Sequence, residues 1–195
     1  MENVLSSLLQ DLDTNLFHLV NTTWSHPLLD KILPIVTDLN HQKWFTLGVT
    51  PLLVVWALVK YRWQAGRIII CLVLSLTLAD SLCYRVIKPS VKRARPPNSQ
   101  ISVIQRTENY EGFSFPSNHA ANAFASATVL AYFFRRGRWY FYTLAGLIAY
   151  SRIYVGVHYP TDVIGGALLG TVMALLVLSA FRRLQPWRTP QLKAR

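Results

Sequence analysis

Five apolar runs dominate this chain, at 44–59, 68–86, 120–134, 139–152 and 163–181. In a protein only 15% charged and about half apolar, such runs mark membrane crossings. The expected fold is therefore all-α: an integral membrane helical bundle with about five transmembrane helices. Several runs fall short of the ~20 residues a free span needs, so their polar ends are expected to extend them. Trp44, Tyr61, Trp63, Trp139 and Tyr140 sit near the run ends, where amphipathic rings favour the headgroup layer. Gly165, Gly166 and Gly170 permit close helix packing in the last run.

Ahead of the first run the pattern changes. Val4, Leu5, Leu8, Leu9, Leu12, Leu16, Phe17 and Val20 recur at helical spacing, with Asp11, Asp13 and Asn15 between them. Pro27 suits the first turn of a second short helix carrying Leu28, Leu29, Ile32 and Leu33. Neither segment has an unbroken apolar span. Residues 1–42 are expected as amphipathic helices at the interface, 43–182 as the transmembrane domain, and 183–195 as a basic cytoplasmic tail. The start, with Glu2, Asp11 and Asp13, does not read as a signal peptide.

The chain carries 20 Lys and Arg against 9 Asp and Glu, for a net charge of +11. That balance suits a nucleic-acid binder or a membrane protein with basic loops. Position decides against nucleic acid, because the bases fall between apolar runs and not along one soluble face. Lys60, Arg62, Arg67, Arg135, Arg136, Arg138, Arg182, Arg183, Arg188, Lys193 and Arg195 share one side by parity of the spans. That side is expected to be cytoplasmic. Cys71 and Cys83, twelve positions apart in one expected helix and roughly 18 Å apart, are too distant for a disulfide and read as buried apolar residues.

Three segments converge on the opposite side. They are Lys88 to Arg95-Pro96, then Pro116-Ser117-Asn118-His119, then Ser151-Arg152 followed by His158 and Asp162. Lys88, Arg95 and Arg152 offer fixed positive charge, and Arg matches phosphate oxygens bidentately. Ser117 offers a hydroxyl, and the backbone N–H groups at a helix start there can face an anion. Together these form a phosphate cradle that neutralises transition-state charge. Asp162, four residues after His158, can fix the imidazole tautomer and leave the other nitrogen free to attack phosphorus. His119 is placed to protonate a leaving oxygen.

These segments resemble the signature of the type 2 phosphatidic acid phosphatase superfamily, K-x6-R-P, P-S-G-H and S-R-x5-H-x3-D. Lys88, Arg95 and Pro96 match the first part. Ser151, Arg152, His158 and Asp162 match the third. Pro116, Ser117 and His119 match the second, with Asn118 in place of the family glycine. The resemblance implies that Lys88, Arg95, Ser117 and Arg152 bind phosphate, together with the Asn118 backbone. It implies that His158 forms a phosphohistidine, that Asp162 orients it, and that His119 is the general acid. It implies neither a metal nor another cofactor.

The implied substrate is a lipid phosphate or diphosphate drawn from the membrane, with undecaprenyl diphosphate as the leading expectation. Phosphatidylglycerophosphate, phosphatidic acid and lipid A are the alternatives. A bacterial cytoplasmic membrane, with the site on its outer face, is the expected location. A zinc hydrolase finds no support, since H-E-x-x-H is absent and the nearby bases repel a cation. A non-catalytic anion- or lipid-binding membrane protein is the rival of another class; it has no use for an oriented histidine. Lys92, Arg93 and Arg106 lie outside the motifs and are expected to hold headgroups or solvent. Asp80, inside the second run, is expected to pair with a nearby base or hydroxyl. His18, His26 and His41 are expected at the surface, and Tyr84, Tyr150 and Tyr159 either line the site or pack.

Overall fold

A computed structural model describes residues 2–39, 42–107 and 111–184, with side chains from Ser7 onward. His41 and the tail beyond Leu184 lie outside the described residues. Among the described residues every regular element is helical. The α-helices are α1 Glu2–His18, α2 Pro27–Thr37, α3 Thr50–Tyr61, α4 Trp63–Leu82, α5 Lys88–Val91, α6 Asn118–Phe133, α7 Arg138–Tyr154 and α8 Pro160–Leu184. Prolines open the first turns of α2, α3, α5 and α8, where the missing N–H costs nothing. Two wide π-helical turns, Trp44–Val49 and Cys83–Ile87, run directly into Pro51 and Pro89. A proline cannot donate to the preceding turn, so the carbonyls there are free for looser bonding.

Three helical stretches are long and apolar enough to cross a membrane: Trp44–Tyr61, Trp63–Asn98 and Pro160–Leu184. The polar ends do extend the spans. The second begins at Trp63, five residues before its apolar run. The last has 25 residues, a length of roughly 37 Å against a hydrocarbon core of about 30 Å. α6 and α7 are shorter, with 16 and 17 residues. α6 is the hub of the bundle, packing against α4, α7 and α8. α3 buries no side chain against the protein, and Leu52, Val55 and Val59 all face outward. Such a surface is at home in lipid and not in water.

Close packing of α6 on α8 depends on two glycines. A Cβ on Gly170 overlaps the Ala121 carbonyl, and one on Gly166 overlaps the Ser117 carbonyl. At the end of α7, Gly156 has φ +88, and a Cβ there meets Val103 and Ile104 within 3 Å. Only glycine satisfies both the left-handed backbone and the space. This turn ends α7 and delivers His158.

The N-terminal helices are strapped to the same end of the bundle. Asn21 donates to the carbonyls of Ile104 and Tyr154, each at 2.9 Å. The Tyr154 hydroxyl donates to Asp30 at 2.6 Å, and Arg106 pairs with Asp30 at 2.6 Å. The Tyr154 hydroxyl and Arg106 hold the Asp30 carboxyl below the usual carboxylate range, against its partial burial. Arg106 therefore binds protein and not headgroups: its guanidinium also donates to the carbonyls of Asn21 and Tyr154, each at 2.9 Å. α1 carries its leucines outward, with Leu8, Leu9 and Leu12 more than half exposed, yet Asp13 is 3% exposed. Part of the polar face of this helix thus meets the protein, and its leucines meet the surroundings.

Candidate active site

Four chain segments meet where α4 ends, α6 begins, α7 ends and α8 begins. Lys92, at φ +52, closes α5 with a left-handed cap and turns the chain into an extended stretch. Residues two apart in extended chain share a face, and Arg93 and Arg95 both reach the pair formed by His158 and Asp162. Arg95 Nη1 lies 3.2 Å from His158 Nε2 and 3.2 Å from the Val157 carbonyl, while its Nε donates to Gly112 at 3.2 Å. Lys88 Nζ donates to the Phe113 carbonyl at 2.6 Å. The 112–114 loop thus holds two of the expected phosphate ligands in place.

His158 is 2% exposed, and its Nδ1 lies 3.5 Å from Asp162 Oδ2. With the Nδ1 proton facing the carboxylate, the lone pair is on Nε2, the nitrogen that Arg95 touches. Burial pushes the imidazole down to about 3, against the pull of Asp162, and the Arg95 and Arg152 charges push it the same way. A neutral ring is the nucleophilic form.

Asp162 has no solvent exposure and is saturated with donors. Tyr159 N–H reaches Oδ2 at 2.8 Å, Ser114 Oγ–H donates to the same oxygen, and Arg93 Nη1 holds Oδ1 at 2.8 Å. The Ser114 oxygen is also 3.4 Å from His158 Nδ1. Ser117 caps α6, and its backbone N–H donates to the Asp162 carbonyl at 2.9 Å. The first turn of α6 is thereby fixed against the first turn of α8.

Arg152 is 1% exposed and donates to Thr37 at 2.6 Å, with Asp38 at 3.4 Å. Its charge reaches His158, but its guanidinium is held from α2. The Asn118 side chain turns away from the charged cluster. It donates to Asp80 at 2.7 Å and accepts from the Cys83 thiol at 2.7 Å. Asn122 donates to the same Asp80 oxygen at 3.1 Å. Asp80 is paired, with two amides where a base or hydroxyl was expected. Cys71 and Cys83 are buried free thiols, but Cys83 does polar work as the donor to Asn118. Asp80, Asn118, Asn122 and His119 line a cavity of about 570 Å³ between α2, α4, α6 and α7, whose remaining walls are mostly apolar.

Arg93 departs from expectation. Its guanidinium binds Asp162 at 2.8 Å, Asp13 at 2.5 Å and the Thr161 hydroxyl at 2.6 Å, and stacks 4.1 Å from the Tyr159 ring. It therefore faces the protein, while Lys92 is exposed. Of the tyrosines, Tyr84 lines the cavity, Tyr150 packs on Tyr154, and Tyr159 bonds Ser99 at 3.0 Å. His26 is exposed and caps α2, and His18 is half-buried. Sequence reasoning did not name Ser114, set Arg93 against headgroups or solvent, and left Asp13 among the polar positions of the first amphipathic helix. Each is brought to the site by a contact across 48 to 148 positions, which local spacing does not reveal.

A buried imidazole backed by a carboxylate and facing an arginine, in a helical membrane bundle, is an arrangement in which a neutral, oriented nitrogen lies beside a group able to bind an anion. Comparison with known proteins agrees. Residues 68–186 match the PAP2 superfamily, and the chain belongs to it. A lipid A 4'-phosphatase of Bacteroides thetaiotaomicron is 32% identical over 171 residues, covering 83% of this chain and 73% of the relative. A putative undecaprenyl-diphosphatase of Escherichia coli, YbjG, is 30% identical over 200 residues, covering 92% of each. The crystal structure of Aquifex aeolicus LpxE superposes with a TM-score of 0.66 at 28% identity, covering 86% of this chain and 95% of that one. The protein is an integral membrane phosphatase.

Proposed function

We propose that this phosphatase removes phosphate from a lipid that carries hydrogen-bond donors beside its phosphate, as a lipid A-type glycolipid does, through a phosphohistidine at His158. The supporting observation is the cavity that His119 shares with Asp80 and Asn122. Its apolar walls suit acyl chains, and the half-buried Asp80 carboxylate, held by the Asn118 and Asn122 amides, sets polar groups among them that a headgroup bearing hydrogen-bond donors can meet. An acylated amino sugar supplies hydroxyl and amide donors. The relative in Bacteroides, named for lipid A, supports the same substrate class.

In this reading Lys88, Arg95, Arg152, the Ser117 hydroxyl and the Asn118 backbone hold the phosphoryl oxygens. His158 Nε2 attacks phosphorus, a P–N bond forms, and the P–O bond to the lipid breaks. His119 gives its proton to the departing oxygen. Water then attacks the phosphohistidine, His119 takes the proton back, and inorganic phosphate leaves. Asp162 keeps Nδ1 protonated throughout. No step calls for a metal. Residues 1–42 serve as interfacial helices and 43–182 as the catalytic domain, with the site on the outer face of a bacterial cytoplasmic membrane.

Undecaprenyl diphosphate, the leading expectation from the sequence, is the second reading. The similarity to the Escherichia coli protein over 92% of each chain supports it, but a polyprenyl chain carries no polar group to meet the Asp80, Asn118 and Asn122 cluster in the cavity. The test is phosphate release by the purified protein in detergent, with a chelator present, over lipid A, phosphatidylglycerophosphate, phosphatidic acid and undecaprenyl diphosphate. We expect the highest kcat/KM on lipid A and loss of at least ~10³-fold in His158→Asn, the scale expected for removing a nucleophile. Near-normal turnover in that variant removes His158 as nucleophile. A clear preference for undecaprenyl diphosphate selects the second reading.

A further inference from the structure

Asp162 is the group that orients the nucleophile, and its two oxygens have divided duties. Oδ2 faces His158, Ser114 and the Tyr159 N–H. Oδ1 accepts from Arg93 Nη1 at 2.8 Å. Arg93 is in turn fixed by Asp13 of α1 at 2.5 Å, by Thr161 at 2.6 Å, and by the Tyr159 ring. Asp13 also accepts from the Thr161 backbone N–H at 2.9 Å and from its hydroxyl at 2.6 Å. A carboxylate on the N-terminal helix therefore grips both the arginine behind Asp162 and the first turn of the helix that carries Asp162.

The charges call for this chain of contacts. Asp13 and Asp162 are both nearly or fully buried, and two buried carboxylates this close repel unless a cation lies between them. The planar Arg93 fork uses one nitrogen for each, a geometry that a lysine point charge does not reproduce. The fork fixes the Asp162 rotamer from the side opposite His158, and Asp13 fixes the fork.

We infer that Arg93 and Asp13 are positioning residues for phosphoryl transfer: they hold Asp162, and through it the His158 ring, in the attacking orientation. The N-terminal helix is thereby part of the catalytic apparatus and not only an interfacial anchor. Neither residue touches phosphate. Their loss lowers kcat and leaves KM nearly unchanged. The inference rests on the proposed roles of His158 and Asp162.

The experiment compares wild type, Asp13→Asn, Arg93→Lys, the double variant and His158→Asn by steady-state phosphate release and by rapid-quench trapping of the phosphoenzyme. Thermal midpoints are measured in parallel. Asp13→Asn keeps an acceptor for Thr161, and Arg93→Lys keeps the charge, so both conserve the fold. We expect each single variant to lose roughly 10-fold or more in kcat and in phosphoenzyme formation, with KM within about threefold. The double variant should be no worse than the weaker single variant, because both act through one carboxylate. Raised KM at unchanged kcat makes Arg93 a headgroup ligand and overturns the inference. So do multiplied losses in the double variant, unchanged kinetics in both single variants, or loss of activity that tracks loss of the folded protein. A phosphoenzyme that persists in His158→Asn refutes the nucleophile assignment itself and is a separate failure.

Discussion

At the scale of single residues, the site is built to keep His158 neutral and pointed. Ser114 shows how little slack there is: its hydroxyl donates to Asp162 and its oxygen sits 3.4 Å from the imidazole. Ser114→Ala removes a bond to a charged acceptor, worth about 1.5 kcal/mol, or roughly tenfold in rate. We expect that loss in kcat with KM held, measured by phosphate release. The buried imidazole also has a signature in stability. Its folded pKa lies below the ordinary 6.5, so the unfolded chain takes up the proton first. The stabilising contribution is complete above pH 6.5 and is lost as pH falls from there toward about 3. Wild type should lose on the order of 2 kcal/mol relative to His158→Asn between pH 6.5 and 4.5. Thermal melts in detergent at the two pH values check this. Asp30 has the same sign, but its window opens only as pH falls to about 3.8, below the interval from pH 6.5 to 4.5 that the melts compare. His158, Asp162 and Arg95 were legible in the sequence because motif spacing carried them. Arg93 was not, because its partners lie 80 and 69 positions away and one arginine among many bases looks like solvent-facing charge. Asp13 was hidden by the same logic, read as the wet side of an amphipathic helix.

At the scale of elements, α6 and α8 decide the geometry. The glycines between them let Ser117 N–H reach the Asp162 carbonyl, so helix contact and site alignment are one construction. Gly170→Ala places a methyl into the Ala121 backbone. Overpacking of this kind costs about 1–3 kcal/mol, and a thermal melt should show that loss together with reduced turnover. Gly146→Ala is the control, since nothing lies within 4 Å of the added methyl; helix propensity predicts no loss and a gain of up to about 1 kcal/mol. The glycine stripe was readable as a packing face from spacing alone. Its partner was not, because the sequence does not say which helix lies opposite. Span boundaries were the least readable, since α4 and α8 run through polar residues that an apolar window leaves out.

At the scale of the molecule, the apolar runs and the motif order gave the fold class and the family, both borne out by the helical bundle and the PAP2 match. The N-terminal helices, expected beside the membrane, latch the site end of the bundle through Asp13, Asn21, Asp30 and Thr37. Orientation remains an expectation that a labelling experiment decides. Glu111 lies at the catalytic end and Arg136 in the turn between α6 and α7; both are exposed, while Cys71 and Cys83 are buried. In intact cells a membrane-impermeant maleimide should label Glu111→Cys at once and Arg136→Cys only after permeabilisation. The reverse pattern places the site in the cytoplasm.

The contact between Arg95 and His158 Nε2 has a consequence for what the resting protein ignores. In the proposed mechanism the guanidinium sits on the attacking lone pair, so the imidazole is capped until something draws the arginine away. An anion with oxygens shaped for a guanidinium fork does this as it binds. Neutral electrophiles have no such grip. On that mechanism the safety catch and the recognition group are one side chain, and a phosphate-like visitor releases it.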